Sequence, residues 1–240
     1  MGQLSAHGAR LLAFPGLRSG HAAAAIAPAL KAHRLPELLA AQLLRAAGSG
    51  SDPHEALTAA LKARMRVEAL DLARTHGILL VGPSGSGKSS VAAAIAMRAG
   101  ARTTLLMNAR EGLTRFRAGE LPDGRLAVME AEGFHPLNPK ARGAFAALNT
   151  IDSVETLGVV SAAGDAEDVA ETVAAFRFRR IIVTGLDRTH RLGALTAAVT
   201  SGAKVAYLYR NGTLEMPDAA MLATWLLAAP GFPMPSEKLS

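Results

Sequence analysis

The residues best equipped for chemistry are consecutive: Gly82-Pro83-Ser84-Gly85-Ser86-Gly87-Lys88-Ser89. They fit the pattern Gly, four residues, then Gly-Lys-Ser/Thr, the signature of a phosphate-binding loop. The chemistry explains the spacing. Gly82, Gly85 and Gly87 let the backbone fold back so that the N–H groups around Ser84 and Ser86 point inward at phosphate oxygens. Lys88 is placed to reach the β- and γ-phosphates, and the Ser89 hydroxyl to ligate Mg²⁺. Ser90 stands in the first helical turn, where unpaired N–H groups and the positive dipole end favour an anion.

A second set follows the apolar run Ile181-Ile182-Val183, which ends in Thr184-Gly185-Leu186-Asp187-Arg188-Thr189. A carboxylate just past a strand can accept two hydrogen bonds, from the N1–H and 2-amino group of guanine, and adenine offers no such donor pair. The same Asp187 also fits a plain helix N-cap, and its residue type alone does not decide between the two.

These residues need elements to hold them. Gly77-Ile78-Leu79-Leu80-Val81 reads as a buried strand entering the loop, and 90–99 as an Ala-rich helix leaving it, with Gly100 as C-terminal cap. Beyond that point strands are expected at 103–107, 126–130, 156–161, 180–184 and 204–209. Helices are expected at 136–149, at 166–176 behind the cap Asp165, at 191–201 and at 217–229, with a turn at Asn211-Gly212. This alternation predicts an α/β fold, a P-loop NTPase with a mostly parallel sheet covered by helices on both faces.

Upstream lies a small helical module. A helix is expected near 21–33, and a second, 37–47, starts after Pro36 and stops at Gly48. A third opens at Asp52-Pro53-His54-Glu55, which combines an N-cap, a first-turn proline and an acidic third position. It is expected to run to His76, with Leu57, Leu61, Met65 and Leu72 near one face. The reading is therefore an arm at 1–19, a helical module at 20–76, and the phosphate-loop domain with its closing helix at 77–240.

Composition narrows the possibilities. Half of the 240 residues are apolar and only 4% aromatic, so a sizeable core packed through small side chains is expected. With no Cys, disulfides and thiolate metal sites are excluded, which suits a reducing cytoplasm. The seven His are scattered without metal-ligand spacing and read as surface or capping residues. The net charge of +6 is spread out; its densest cluster, Arg177-Phe178-Arg179-Arg180, is short for a nucleic-acid patch. The apolar stretch 219–229 is too short to span a bilayer, so any membrane contact is expected to be peripheral. Met221, Leu222, Trp225 and Leu226 form a stripe expected to pack back on the N-terminal helices.

Around the second set the chain resembles the signal-recognition-particle family of GTPases, most closely its flagellar, FlhF-type branch. That family's guanine motif is Thr-Lys-x-Asp, followed by Thr and a Gly-rich helix start. Thr184-Gly185-Leu186-Asp187-Arg188-Thr189 and Arg191-Leu192-Gly193-Ala194-Leu195 look like it. Ser201 to Gly212 resembles the following strand and nucleotide-closing loop, which makes Gly212 a candidate contact. Met216-Pro217-Asp218 resembles the opening of the last helix, and 20–76 resembles the family's N domain. The resemblance covers about residues 20–230.

The departures concern hydrolysis. The guanine-motif Lys is Gly185. The family's Asp-Thr-Tyr-Arg, whose Asp positions the attacking water, corresponds to Met107-Asn108-Ala109-Arg110; Arg110 remains as a candidate phosphate contact. The family's Asp-Thr-Ala-Gly corresponds to Glu130-Ala131-Glu132-Gly133, which keeps a carboxylate for Mg²⁺ in Glu130 and the γ-phosphate-sensing Gly133. The stretch 111–125 is short for the family's helical insertion. The resemblance implies GTP/GDP and Mg²⁺ as cofactors, and a nucleotide-dependent homodimer or pairing with a related GTPase. It also implies a switch or assembly role in flagellum biogenesis, at the inner membrane or cell pole, with weak or absent hydrolysis. No RNA-binding domain is evident. The remaining readings are a pseudo-GTPase scaffold and an ATP-binding P-loop kinase or ATPase.

Overall fold

The computed structural model describes residues 21–100, 104–120, 124–131, 134–148 and 154–230. The chain begins with three helices, α1 (His21–Ala32), α2 (Glu37–Ala47) and α3 (Pro53–Lys62). The start signals at 52–55 act as expected: Asp52 accepts from the N–H groups of His54 and Glu55, and Pro53 takes the first helical position.

The expected run of α3 to His76 is not found. The helix ends at Lys62, and the chain turns into a two-residue strand, β1 (Arg66–Val67), that joins the sheet. Leu57 and Leu61 go into the core beside α1, α2 and the last helix. Leu72 instead packs on the other side of the sheet, so no single helix face could serve all four residues. A turn at 71–75, held by Asp71, completes the crossing.

The remaining order is β2 (Gly77–Val81), α4 (Lys88–Arg98), β3 (Thr104–Asn108), α5 (Ala109–Arg117), β4 (Leu126–Glu130), α6 (Pro139–Leu148), β5 (Val154–Ser161), α7 (Ala166–Phe176), β6 (Arg180–Thr184), α8 (Gly193–Val199), β7 (Lys204–Arg210), β8 (Thr213–Glu215) and α9 (Ala219–Leu227). The sheet runs β1-β7-β6-β5-β2-β4-β3, all parallel, with β8 folded back antiparallel on β7. β8 and α5 were not expected from the sequence. β2 lies between β5 and β4, so the phosphate loop leaves from the middle of the carboxyl edge.

Successive strand residues point to opposite faces, and the two faces are covered unequally. Leu79, Val81, Val160, Val183, Val205 and Leu208 pack with α1–α3 and α5–α9. Ile78, Leu80, Val159, Ile182 and Ala206 meet α4 and the 70–72 turn. As the stripe predicts, Leu222, Trp225 and Leu226 of α9 are buried, in one core with α1–α3. Two histidines fasten this helix: His54 Nε2 lies 3.2 Å from Ala220 O, and His33 Nε2 lies 3.0 Å from Ala228 O.

Of the surface and capping roles expected of the histidines, His33 takes the second, and it is only 2% exposed. Its Nδ1 accepts from Leu192 N–H (3.3 Å) while Gly193 N–H donates to its carbonyl (3.0 Å). α8 has no capping side chain of its own, so its first N–H groups are satisfied by the end of α1. Gly193 is required there, because a Cβ would stand 2.4 Å from Arg34 O. Burial pushes the His33 pKa down, against three backbone hydrogen bonds that pull it up. Nδ1 as acceptor fixes the neutral tautomer with its proton on Nε2.

Candidate functional site

The phosphate loop is held by steric limits on its glycines. A Cβ on Gly82 would stand 2.2 Å from Val159 O, so the loop can leave β2 only through glycine. Gly85 and Gly87 have φ of 75° and 90°, in the left-handed region that favours glycine. Gly87 packs against Thr184, whose Oγ1 would lie 3.2 Å from a Cβ. α4 begins at Lys88, two residues before the sequence reading, and has no side-chain cap. Its first N–H groups therefore face the loop without a local side-chain acceptor. Ser84, Gly85, Ser89 and Ser90 are exposed.

Lys88 is 8% exposed, and its ammonium donates to Gly82 O (3.1 Å) and Pro83 O (2.9 Å). Ser86 is buried and its hydroxyl has no hydrogen-bond partner. A buried orphan hydroxyl costs stability unless something else satisfies it. The combination of a buried ammonium, an orphan hydroxyl and uncapped N–H groups is the donor set that an anion satisfies.

The candidate metal residues meet. Ser89 Oγ donates to Glu130 Oε2 at 2.7 Å, across the gap between α4 and the end of β4. Oxygen ligands of this kind suit Mg²⁺, which binds through one or two carboxylate or hydroxyl oxygens and keeps waters besides. The residues present therefore fit that ion. Among the described residues there is no cluster of three or more His, Asp or Glu side chains that could hold a metal by themselves.

Thr184 lies behind the loop. It is 4% exposed, and its hydroxyl donates to Ser86 O at 2.6 Å, with Val160 O at 3.3 Å. Its visible work is to brace the phosphate loop from β6. Asp187 is exposed on the segment after β6 and caps no helix, because α8 starts only at Gly193 and its cap position is Leu192. The plain capping explanation of this aspartate is therefore removed. Gly185 has φ 70°, and a Cβ there would lie 2.6 Å from Ser161 Oγ. A lysine could not simply be put back at this position. Gly212, φ 84°, forms with Asn211 the two-residue turn between β7 and β8. Its left-handed backbone is explained by that hairpin. Gly133 lies outside the described residues.

The end of β3 is built for packing. Met107 is half-buried against the core, and a Cβ on Gly112 would stand 2.4 Å from Met129 Cγ and 2.9 Å from Met107 Cγ. Gly112 thus lets α5 lie directly on two methionines. Asn108 caps that helix by accepting from Glu111 N–H at 2.9 Å. Arg110 sits exposed in its first turn.

Sequence reading missed the Thr184–Ser86 brace, which pairs residues 98 positions apart with no motif to announce it. It also missed a cavity of about 240 Å³ beside the outer turn of the loop, between Pro83–Ser86, the 135–137 segment and the start of α7.

A parallel sheet with a glycine-bound phosphate loop at its centre and a helical bundle on one flank is the fold of P-loop NTPases, in the arrangement seen in signal-recognition-particle GTPases. A crystal structure of FlhF complexed with GTP/Mg²⁺ matches with a TM-score of 0.66 and 16% identity, over 85% of this chain and 99% of that one. The receptor FtsY from Elizabethkingia anophelis, in complex with GDP, matches with 0.60 and 13%, over 84% of each chain. FtsY from Thermotoga maritima matches with 0.59 and 16%, over 86% of this chain and 88% of that one. At these identities the likeness is one of fold. No protein-family model and no curated protein matches the sequence.

Proposed function

We propose that the chain binds a guanine nucleotide with Mg²⁺ and acts as a nucleotide-dependent switch or assembly factor with weak or absent hydrolysis. The observation that carries this is the joint placement of Lys88, the Ser89–Glu130 pair and an uncommitted Asp187 along one sheet edge. The fold neighbours FlhF, complexed with GTP/Mg²⁺, and FtsY, in complex with GDP, support the choice of nucleotide.

In this reading the loop N–H groups, Ser86 and Lys88 hold the phosphates. Ser89 and Glu130 hold Mg²⁺, which neutralises phosphate charge when bound. Asp187 reads the guanine edge, and the resemblance makes Gly133 and Arg110 candidates for sensing the γ-phosphate. Hydrolysis needs a group that orients the attacking water. Met107 packs under Gly112 where the resembling family carries that carboxylate, and Asn108 is committed to capping α5. A retained grip without a water-positioning group favours binding and switching over turnover.

The flagellar role and the inner-membrane or polar location rest on the resemblance to the FlhF type. No described helix is long and apolar enough to cross a membrane, so attachment in this reading is peripheral. Partnering is by a homodimer or a related GTPase. Calorimetric titration with GTP and ATP tests the nucleotide reading. GTP preference that disappears in Asp187→Ala, and binding that disappears in Lys88→Ala, are expected. ATP preference would turn the reading to a kinase or ATPase, and no binding of either would turn it to a scaffold.

A further inference from the structure

The cavity beside Pro83–Ser86 shares one wall with the phosphate loop, and its other walls have no role in the reading above. At about 240 Å³ it is smaller than the ~300–1,000 Å³ clefts that enclose whole small ligands. It suits one long side chain better than a cofactor. Its walls include the apolar Pro83, Val160 and Val169, and along α7 the carboxylates Asp168 and Glu171. Asp165 at its edge is committed to the α7 cap, accepting from Glu167 and Asp168 N–H. Asp168 and Glu171 are exposed and enter no ion pair among the described residues. At the rim Leu137, a large apolar side chain, is 70% exposed among the described residues. The chain as a whole carries +6, so this acidic, apolar-floored hollow stands against the general charge.

We infer that this cavity receives an arginine side chain of a protein partner, with a neighbouring apolar residue of that partner resting on Leu137. A guanidinium is planar and weakly hydrated, and it presents a rigid fork of donors that suits two carboxylates above an apolar floor. A lysine ammonium is more strongly hydrated and matches such a floor less well. Because Pro83–Ser86 form one wall, the occupant touches the loop itself, next to the Pro83 carbonyl that accepts from Lys88. The site thus offers a partner direct contact with the loop.

The test uses the whole chain without nucleotide, so its outcome is separate from that of the GTP reading. The ¹⁵N-labelled protein is titrated with a helical alanine-based peptide carrying Arg and Leu four residues apart. The same peptide with citrulline in place of Arg serves as a neutral isostere. Saturable shifts at the Gly164, Val169 and Thr172 amides are expected, at least tenfold weaker with citrulline. They should also be at least tenfold weaker in the double variant Asp168→Asn, Glu171→Gln, with an unchanged circular dichroism spectrum. Glu167→Gln, on the same helix but outside the cavity, should leave binding unchanged. Equal binding of the citrulline peptide, undiminished binding to the folded double variant, or no saturable shift overturns the inference.

Discussion

The two ends of the candidate site are built by opposite means. At the phosphate loop, sterics forbid side chains where the backbone must turn: Gly82 stands against Val159 O, Gly87 against Thr184, and Gly85 is left-handed. Lys88 and Ser86 are buried there, and β6 braces the loop through Thr184. At the ends of β3 and α5, glycine serves a different purpose, since Gly112 makes room for two methionine side chains. The polar group nearest the strand end, Asn108, is used on the backbone of its own helix. One region is preorganised for an anion and the other for apolar contact. In the proposed reading, the difference is between a grip on phosphate that the chain keeps and a water-positioning corner that has become core.

If the loop is the preorganised region, the largest effect should come from its buried charge. Lys88→Ala removes two charge-assisted hydrogen bonds and the only ammonium in the loop. In the proposed reading the ammonium's contact to phosphate, worth roughly 1.5–3 kcal/mol, is lost as well, so GTP affinity should fall by about one to two orders of magnitude in calorimetry. A loss well under tenfold would blur the comparison. If the β3 corner is core, overpacking it should harm stability and leave binding alone. Gly112→Leu should cost about 1–3 kcal/mol in urea denaturation. Gly143→Ala on α6, where a Cβ meets nothing within 4 Å, should instead stabilise by roughly 0.5–1 kcal/mol.

A smaller effect is expected at the brace between them. Thr184→Val keeps the shape but leaves Ser86 O without its 2.6 Å donor. A loss of about 1 kcal/mol is expected, shared between stability and nucleotide affinity. The smallest is a pH effect at His33, outside both regions. Burial lowers its folded pKa below the unfolded value of 6.5. The neutral ring's contribution is therefore full above about pH 6.5 and is lost as pH falls from there toward the folded pKa. The urea midpoint should fall between pH 7 and pH 5, and His33→Gln should flatten that slope.

Much of the fold was legible because local signals agreed with tertiary needs. α2, α7 and β6 match their expected bounds, since Pro36, Asp165 and the apolar runs mark ends that the fold also uses. The α3 boundary failed because a continuous apolar spacing concealed two destinations, Leu61 on one face of the sheet and Leu72 on the other. Which helix ends His33 serves was not legible, because its partners Leu192 and Ala228 are distant in sequence. In the site, the Ser89–Glu130 meeting follows from the phosphate-loop motif at Ser89 and from the family resemblance at Glu130. The Thr184 hydrogen bond and the acidic cavity depend on how β5, β6 and the loop converge, which no local pattern encodes.

The central claim is grip without turnover. Its most direct test is single-turnover phosphate release from the GTP-saturated chain with Mg²⁺ and no partner. The expected rate is below about 10⁻⁴ s⁻¹, slower than intrinsic GTPases that keep a water-positioning residue. A rate near 10⁻² s⁻¹ or above would contradict the account, because the Met107–Gly112 corner would then not have removed the hydrolytic function.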